Sequence, residues 1–254
     1  MKSPKERLAW EAFFLLPIIV AVAFLGYPST KNVLFTAILT IVFFVNIAIR
    51  FLTIRERGDW IFFVFGIAAG GGNDLMSMAR NVYDYNSITL IPFLNGLLPL
   101  WNICFWGQVF LLFRKVFQVE WFKGEPFKKD GRFVKGWLSI KLIVDLCILV
   151  FLRAIIYLTY NLAPWIPTSF YGAAILARFA VFKPRKNELL IIVILPYAYL
   201  FEYLMVIFGL YTYMNAPFLG MPIWLLLWWV FLVPIVLKQI FDMLEFYLGK
   251  KKPS

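Results

Sequence analysis

Asp74 sits directly after an apolar run, in Gly70-Gly71-Gly72-Asn73-Asp74-Leu75-Met76-Ser77. Tyr83 follows it at +9, Tyr85 at +11, and then Asn86. Glu202 has the same sequel, with Tyr211 at +9 and Tyr213 at +11. A carboxyl group inside an apolar helix costs about 2.5–3.5 kcal/mol to insert, so it is a functional hypothesis by default. Desolvation raises the pKa of such a group. A neutral Asp74 or Glu202 could therefore protonate an apolar substrate. Trp101, Trp106, Trp224, Trp228 and Trp229 could stabilise a cationic intermediate through their ring faces. The plainer alternatives are also open. The acids could be polar glue between helices, and the tyrosines and tryptophans could be interfacial or lipid-facing rings.

Other chemistries are excluded by composition. Histidine is absent, which removes His-based triads, His–metal sites and imidazole relays. Cys104 and Cys147 lie in apolar runs and read as small buried hydrophobes, with neither a disulfide nor a zinc site implied. No metal or other cofactor is expected.

The elements that must position these residues are membrane spans. The chain is 62% hydrophobic, against about 45–50% apolar for a soluble domain. Hydrophobic runs fall near residues 10–27, 32–50, 60–82, 96–114, 137–160, 165–182, 188–210 and 219–241. Each is near the roughly 20 residues a spanning helix needs. The expected fold is an all-α membrane protein of eight transmembrane helices, with no soluble domain. Gly70–Gly72 would let the third helix pack closely against neighbours. The first run also has the layout of a signal peptide, with Ala21-Val22-Ala23 as a cleavage site. Losing it would break the even number of spans.

Of the 25 Lys and Arg, 21 fall at the two termini and in the second, fourth and sixth loops. Only Lys31 and Arg80 fall on the opposite side, and Lys141 and Arg153 lie within the fifth run. The positive-inside rule then makes both termini cytoplasmic, in an inner membrane. The net charge of +11 is accounted for by those loops and by anionic lipid headgroups, so no nucleic-acid partner is expected.

The chain also repeats itself. Ile49–Trp60 (IRFLTIRERGDW) aligns with Ala177–Glu188 (ARFAVFKPRKNE) at an offset of 128. The same offset carries Asp74 onto Glu202, Tyr83 onto Tyr211 and Tyr85 onto Tyr213. A five-residue deletion then brings Pro99-x-Trp101 onto Pro222-x-Trp224, Trp106 onto Trp229 and Lys115 onto Lys238. Two parallel four-helix repeats are expected, residues 1–117 and 137–254, joined by a basic linker at 118–136. Such repeats often hold a site at their interface. Asp145 is expected to pair with Lys141 one turn earlier. Arg153 is expected to anchor a lipid headgroup or neutralise an acid on another helix.

Asp74, Tyr83, Tyr85-Asn86 and Pro99-Leu100, with the basic stretch Thr53–Gly58, resemble the membrane-embedded lycopene cyclase domains of carotenoid biosynthesis. The second half, with Glu202, Gly209, Tyr211 and Tyr213, is similar to the same unit and to the related carotenoid hydratases. The likeness covers residues 45–117 best and 175–241 in outline. It implies a hydrophobic isoprenoid substrate and acid-initiated cyclisation, isomerisation or hydration. Asp74 and Glu202 would be catalytic. Tyr83, Tyr85, Asn86, Trp101, Asn102, Trp106, Tyr211, Tyr213, Trp224 and Trp228 would line the substrate. One departure is plain: the family's Pro-Leu-Glu-Glu reads Pro99-Leu100-Trp101-Asn102 here, and Trp224-Leu225 takes that place in the second half. Asp74 and Glu202 would carry the acid chemistry alone, or the scaffold would bind a polyisoprenoid or lipid without reacting. A small-solute transporter is the third reading.

Overall fold

The computed structural model describes residues 3–86, 88, 90, 98–123 and 139–250. Most of the expected basic linker, including Lys128, Lys129, Arg132 and Lys135, lies outside the described residues, as do Lys2, Lys251 and Lys252.

Helices occupy all eight apolar runs. They are α1 (Pro4–Ser29), α2 (Val33–Thr53), α3 (Asp59–Gly66) running through a π-helical turn into α4 (Gly72–Ala79), and α5 (Leu100–Gln118). Then come α6 (Ile140–Thr159), α7 (Trp165–Val181) and α8 (Lys186–Ile207). The last stretch is α9 (Trp224–Phe231), a second π-helical turn and α10 (Lys238–Lys250). Six stretches are long and apolar enough to cross a membrane; α5 and α7 are not among them. Phe24, Leu52, Val150, Leu176 and Val193 point their side chains outward. A surface of this kind suits lipid and not water, and it supports a membrane protein.

The fold is not purely helical. Two three-residue strands, β1 (Tyr83–Tyr85) and β2 (Tyr211–Tyr213), pair antiparallel, Tyr83 with Tyr213, Asp84 with Thr212 and Tyr85 with Tyr211. The third apolar run was expected to extend to about residue 82, and a helix continued past it would put Tyr83 opposite Asp74. The helix stops at Ala79 instead. Asn81 takes φ 56°, Val82 N–H bonds to Ser77 O and Asn81 N–H to Met78 O, a Schellman stop. Helix α8 stops the same way, 128 residues on. There Gly209 takes φ 73°, Leu210 N–H bonds to Met205 O and Gly209 N–H to Val206 O.

The chain forms two compact units. The first holds Met1–Val119 together with Phe201–Met214. Here α1 packs on α2, and α5 packs on α1, α2 and α3. Arg50, fully buried, binds Glu11 through Nε (3.0 and 3.2 Å) and Nη2, and Asp59 through Nη1 (2.7 Å). Arg114 (2.5 Å) and Lys115 (3.2 Å) complete the shell of Asp59. A buried charge needs partners of this quality to offset desolvation.

The second unit holds Glu120–Leu200 and Asn215–Ser254. Its α6 packs on α7, and α7 on α9. Arg178 binds Asp145 through Nε (3.1 Å) and Nη2 (3.2 Å), and Gln239 donates to the same carboxylate (2.6 Å). Lys141 pairs with Glu188 (2.9 Å), so the expected Lys141–Asp145 pair does not form. A two-pronged guanidinium matches a carboxylate better than an ammonium one turn away. The Arg153 guanidinium lies 4.6 Å from the Trp228 ring and 4.9 Å from that of Tyr157, whose hydroxyl it bonds at 3.0 Å. Cys104 is buried as expected, but Cys147 is exposed.

Candidate active site

Asp74 lies on α4, just beyond the π-helical turn Ile67–Gly71, and is 2% exposed. The Schellman stop turns the chain back, so Tyr83 and Tyr85 both reach it. Tyr83 donates to Oδ1 at 2.5 Å and Tyr85 to Oδ2 at 2.7 Å. From α5, Asn102 Nδ2 donates to Oδ2 at 3.0 Å and Trp106 Nε1 at 2.6 Å. Asn102 Nδ2 also donates to the Tyr85 hydroxyl. These four uncharged donors, with Asn73 Nδ2 at 3.5 Å from Oδ1, surround the Asp74 carboxyl group. Burial pushes the Tyr85 phenol well above its usual range, and the Asp74 charge pushes the same way, with Tyr83 and Glu202 adding to it.

Trp106 reaches Asp74 because Gly70 has no side chain. A Cβ on Gly70 would lie 2.2 Å from Trp106 Cδ2. The triple glycine was expected to permit close packing, and Gly70 does. Gly71 and Gly72 would meet nothing within 4 Å.

Glu202 lies on the last turns of α8, which belong to the first unit. Tyr211 donates its hydroxyl to Glu202 Oε2, as Tyr83 does to Asp74, again across nine residues. The Tyr211 ring lies 5.4 Å from that of Tyr85 and 6.1 Å from that of Tyr83. The Tyr213 ring lies tilted, 5.0 Å from that of Tyr83. The two acids thus stand at either end of one tyrosine cluster. Trp101 closes it, 5.4 Å from Tyr85 and 5.4 Å from Phe43, with Phe105 beyond, stacked at 5.7 Å on Phe201. Phe43, Phe105 and Gly70 were not singled out from sequence. A phenylalanine in an apolar chain carries no signal of its own, whereas Gly70 was visible as part of a glycine run.

Three further expected residues make other contacts. Asn86 is exposed and ties the strands together, donating to Gly209 O and Thr212 Oγ1, each at 3.0 Å. Trp224 and Trp228 belong to the second unit, where they pack against Tyr171 at 6.5 and 6.4 Å. No group of His, Cys, Asp and Glu able to hold a metal ion occurs among the described residues.

No family model, curated protein or solved structure matches this chain.

Proposed function

We propose that this is an integral membrane protein of eight spans, built from two repeats of four, that acts on a hydrophobic isoprenoid by acid-initiated cyclisation, isomerisation or hydration. The observation that carries the reading is the pair of acids on one tyrosine cluster, Asp74 bound by Tyr83 and Tyr85 and Glu202 by Tyr211. Two carboxyl groups in different surroundings suit two different roles. Glu202 is half-buried and is the proton carrier. Its O–H bond breaks as a C–H bond forms on a substrate alkene, leaving a carbocation. The donor-bound Asp74 carboxylate offsets that charge, aided by the ring faces of Trp101 and Trp106. Loss of a neighbouring proton to the Glu202 carboxylate ends an isomerisation or a cyclisation. Addition of water and loss of its proton to the same group ends a hydration.

The repeat is supported by the matched helix stops and by the strand register. Tyr83 and Tyr85 have Tyr211 and Tyr213 as their counterparts at the offset of 128. The register pairs each tyrosine with the counterpart of the other, about Asp84 and Thr212. Two copies of one strand pair this way about a local two-fold axis. The basic loops support cytoplasmic termini. A C-terminal reporter that functions only in the cytoplasm would be inactive if this orientation is wrong.

The test of activity is expression in a host that accumulates an acyclic C40 polyene. A new pigment is expected, lost in Glu202→Gln and reduced in Asp74→Asn. An unchanged pigment profile would remove the catalytic reading. The saturation of Asp74 by four donors favours the runner-up, an isoprenoid- or lipid-binding protein without chemistry. That reading predicts polyene bound to the purified protein and no conversion.

A further inference from the structure

Asn102 and Trp101 each keep one buried polar atom unused. Asn102 is fully buried and Trp101 is 1% exposed. Both Asn102 Nδ2 bonds are made, to Asp74 and to Tyr85, which fixes the amide orientation and leaves Oδ1 with no partner. Trp101 Nε1–H also has none. Every other donor facing Asp74 is satisfied, so these two atoms stand out in a well-bonded site. Leaving a buried donor or acceptor unmade costs about 1–3 kcal/mol each. One is an acceptor and the other a donor, on consecutive residues at the start of α5. A hydroxyl group, which both donates and accepts, can satisfy either atom.

We propose that Asn102 Oδ1, with Trp101 Nε1–H beside it in sequence, is the docking point for a hydroxyl group next to the Asp74 cage. The hydroxyl is either the alcohol end of an isoprenoid or a water molecule. This deepens the isoprenoid reading and rests on it, because it gives an otherwise apolar site one polar address. It also separates the two acids from the polar address: Asp74 is filled by protein donors, and the free hydrogen-bonding capacity lies on its neighbours.

The test uses the full-length protein in detergent and tritiated geranylgeraniol, compared with a tritiated C20 hydrocarbon of the same skeleton. If the hydroxyl comes from the ligand, the alcohol binds about tenfold more tightly than the hydrocarbon, the worth of one well-made buried hydrogen bond. Trp101→Phe keeps an aromatic ring but removes the pyrrole half of the indole with its N–H, and it should cut the preference for the alcohol severalfold. Asn102→Leu should abolish the preference for the alcohol over the hydrocarbon. If the hydroxyl is water, the two ligands bind alike. An experimental density map at a resolution that shows waters then has an oxygen at hydrogen-bond distance from Asn102 Oδ1. Equal binding with no such oxygen overturns the proposal. Failure of both ligands to bind counts against the isoprenoid reading alone, and the map still decides the hydroxyl site.

Discussion

Asp74 is held by Tyr83, Tyr85, Asn102 and Trp106, and no cation is among these four. Losing the carboxylate should therefore be costly. Asp74→Asn leaves one acceptor oxygen for four donors and turns an amide N–H₂ toward them. We expect a loss of about 3 kcal/mol, from stranded donors and lost charge-assisted bonds, read as a lower unfolding midpoint in detergent. Tyr83→Phe removes one bond and should cost about 1 kcal/mol. Tyr85 adds a pH test. Its folded-state phenol is held well above the ordinary value of 10.0. The folded chain therefore keeps a proton that the unfolded chain sheds. Its contribution to stability is constant below about pH 10 and is lost as pH rises above it. Tyr85→Phe should flatten that alkaline decline in unfolding midpoint. An equally steep decline in the variant would show that the phenol is not held this way.

At the scale of elements, the π-helical turn and the two helix stops set the site. Gly70→Ala forces a Cβ into the indole of Trp106. It should cost about 1–3 kcal/mol by overpacking and shift tryptophan emission by displacing Trp106 from Asp74. Gly72→Ala meets nothing and should be neutral or stabilising by up to about 1 kcal/mol. If both alanines behave alike, Gly70 is not a packing position. The glycine run was visible in the sequence, but only the fold separates Gly70 from its neighbours. The helix stop was legible in principle: Asn81 tolerates positive φ, and Tyr-Asp-Tyr and Tyr-Thr-Tyr favour strands. A hydrophobic run that continues to Val82 hides the stop, because hydropathy does not sense backbone geometry. A helix carried on through Val82 would put Tyr83 on the face opposite Asp74, whereas it bonds the carboxylate.

In each unit a buried arginine is gripped by two acids, Arg50 by Glu11 and Asp59, and Arg178 by Asp145 with Glu188 at 3.6 Å. Removing one member of such a cluster strands its partners. Arg50→Met and Arg178→Met should each lose about 3–5 kcal/mol, measured by denaturant or thermal unfolding. Glu11→Leu combined with Arg50→Met should recover part of the loss. Full additivity would mean that the pair does not interact.

The membrane class, the eight helical stretches, the acids with their tyrosines at fixed spacing, and the paired Arg50 and Arg178 are all legible along the chain. Each is a local property: transfer free energy adds residue by residue, and a spacing is counted within one segment. Partner choice is not local. Asp145 takes Arg178 and not Lys141, Lys141 takes Glu188, Asn86 serves the strands, and Trp224 and Trp228 join a different unit from Asp74. Those outcomes depend on distances between segments far apart in sequence, and on which donor fills which lone pair at under about 3.2 Å. Only the tertiary structure decides that.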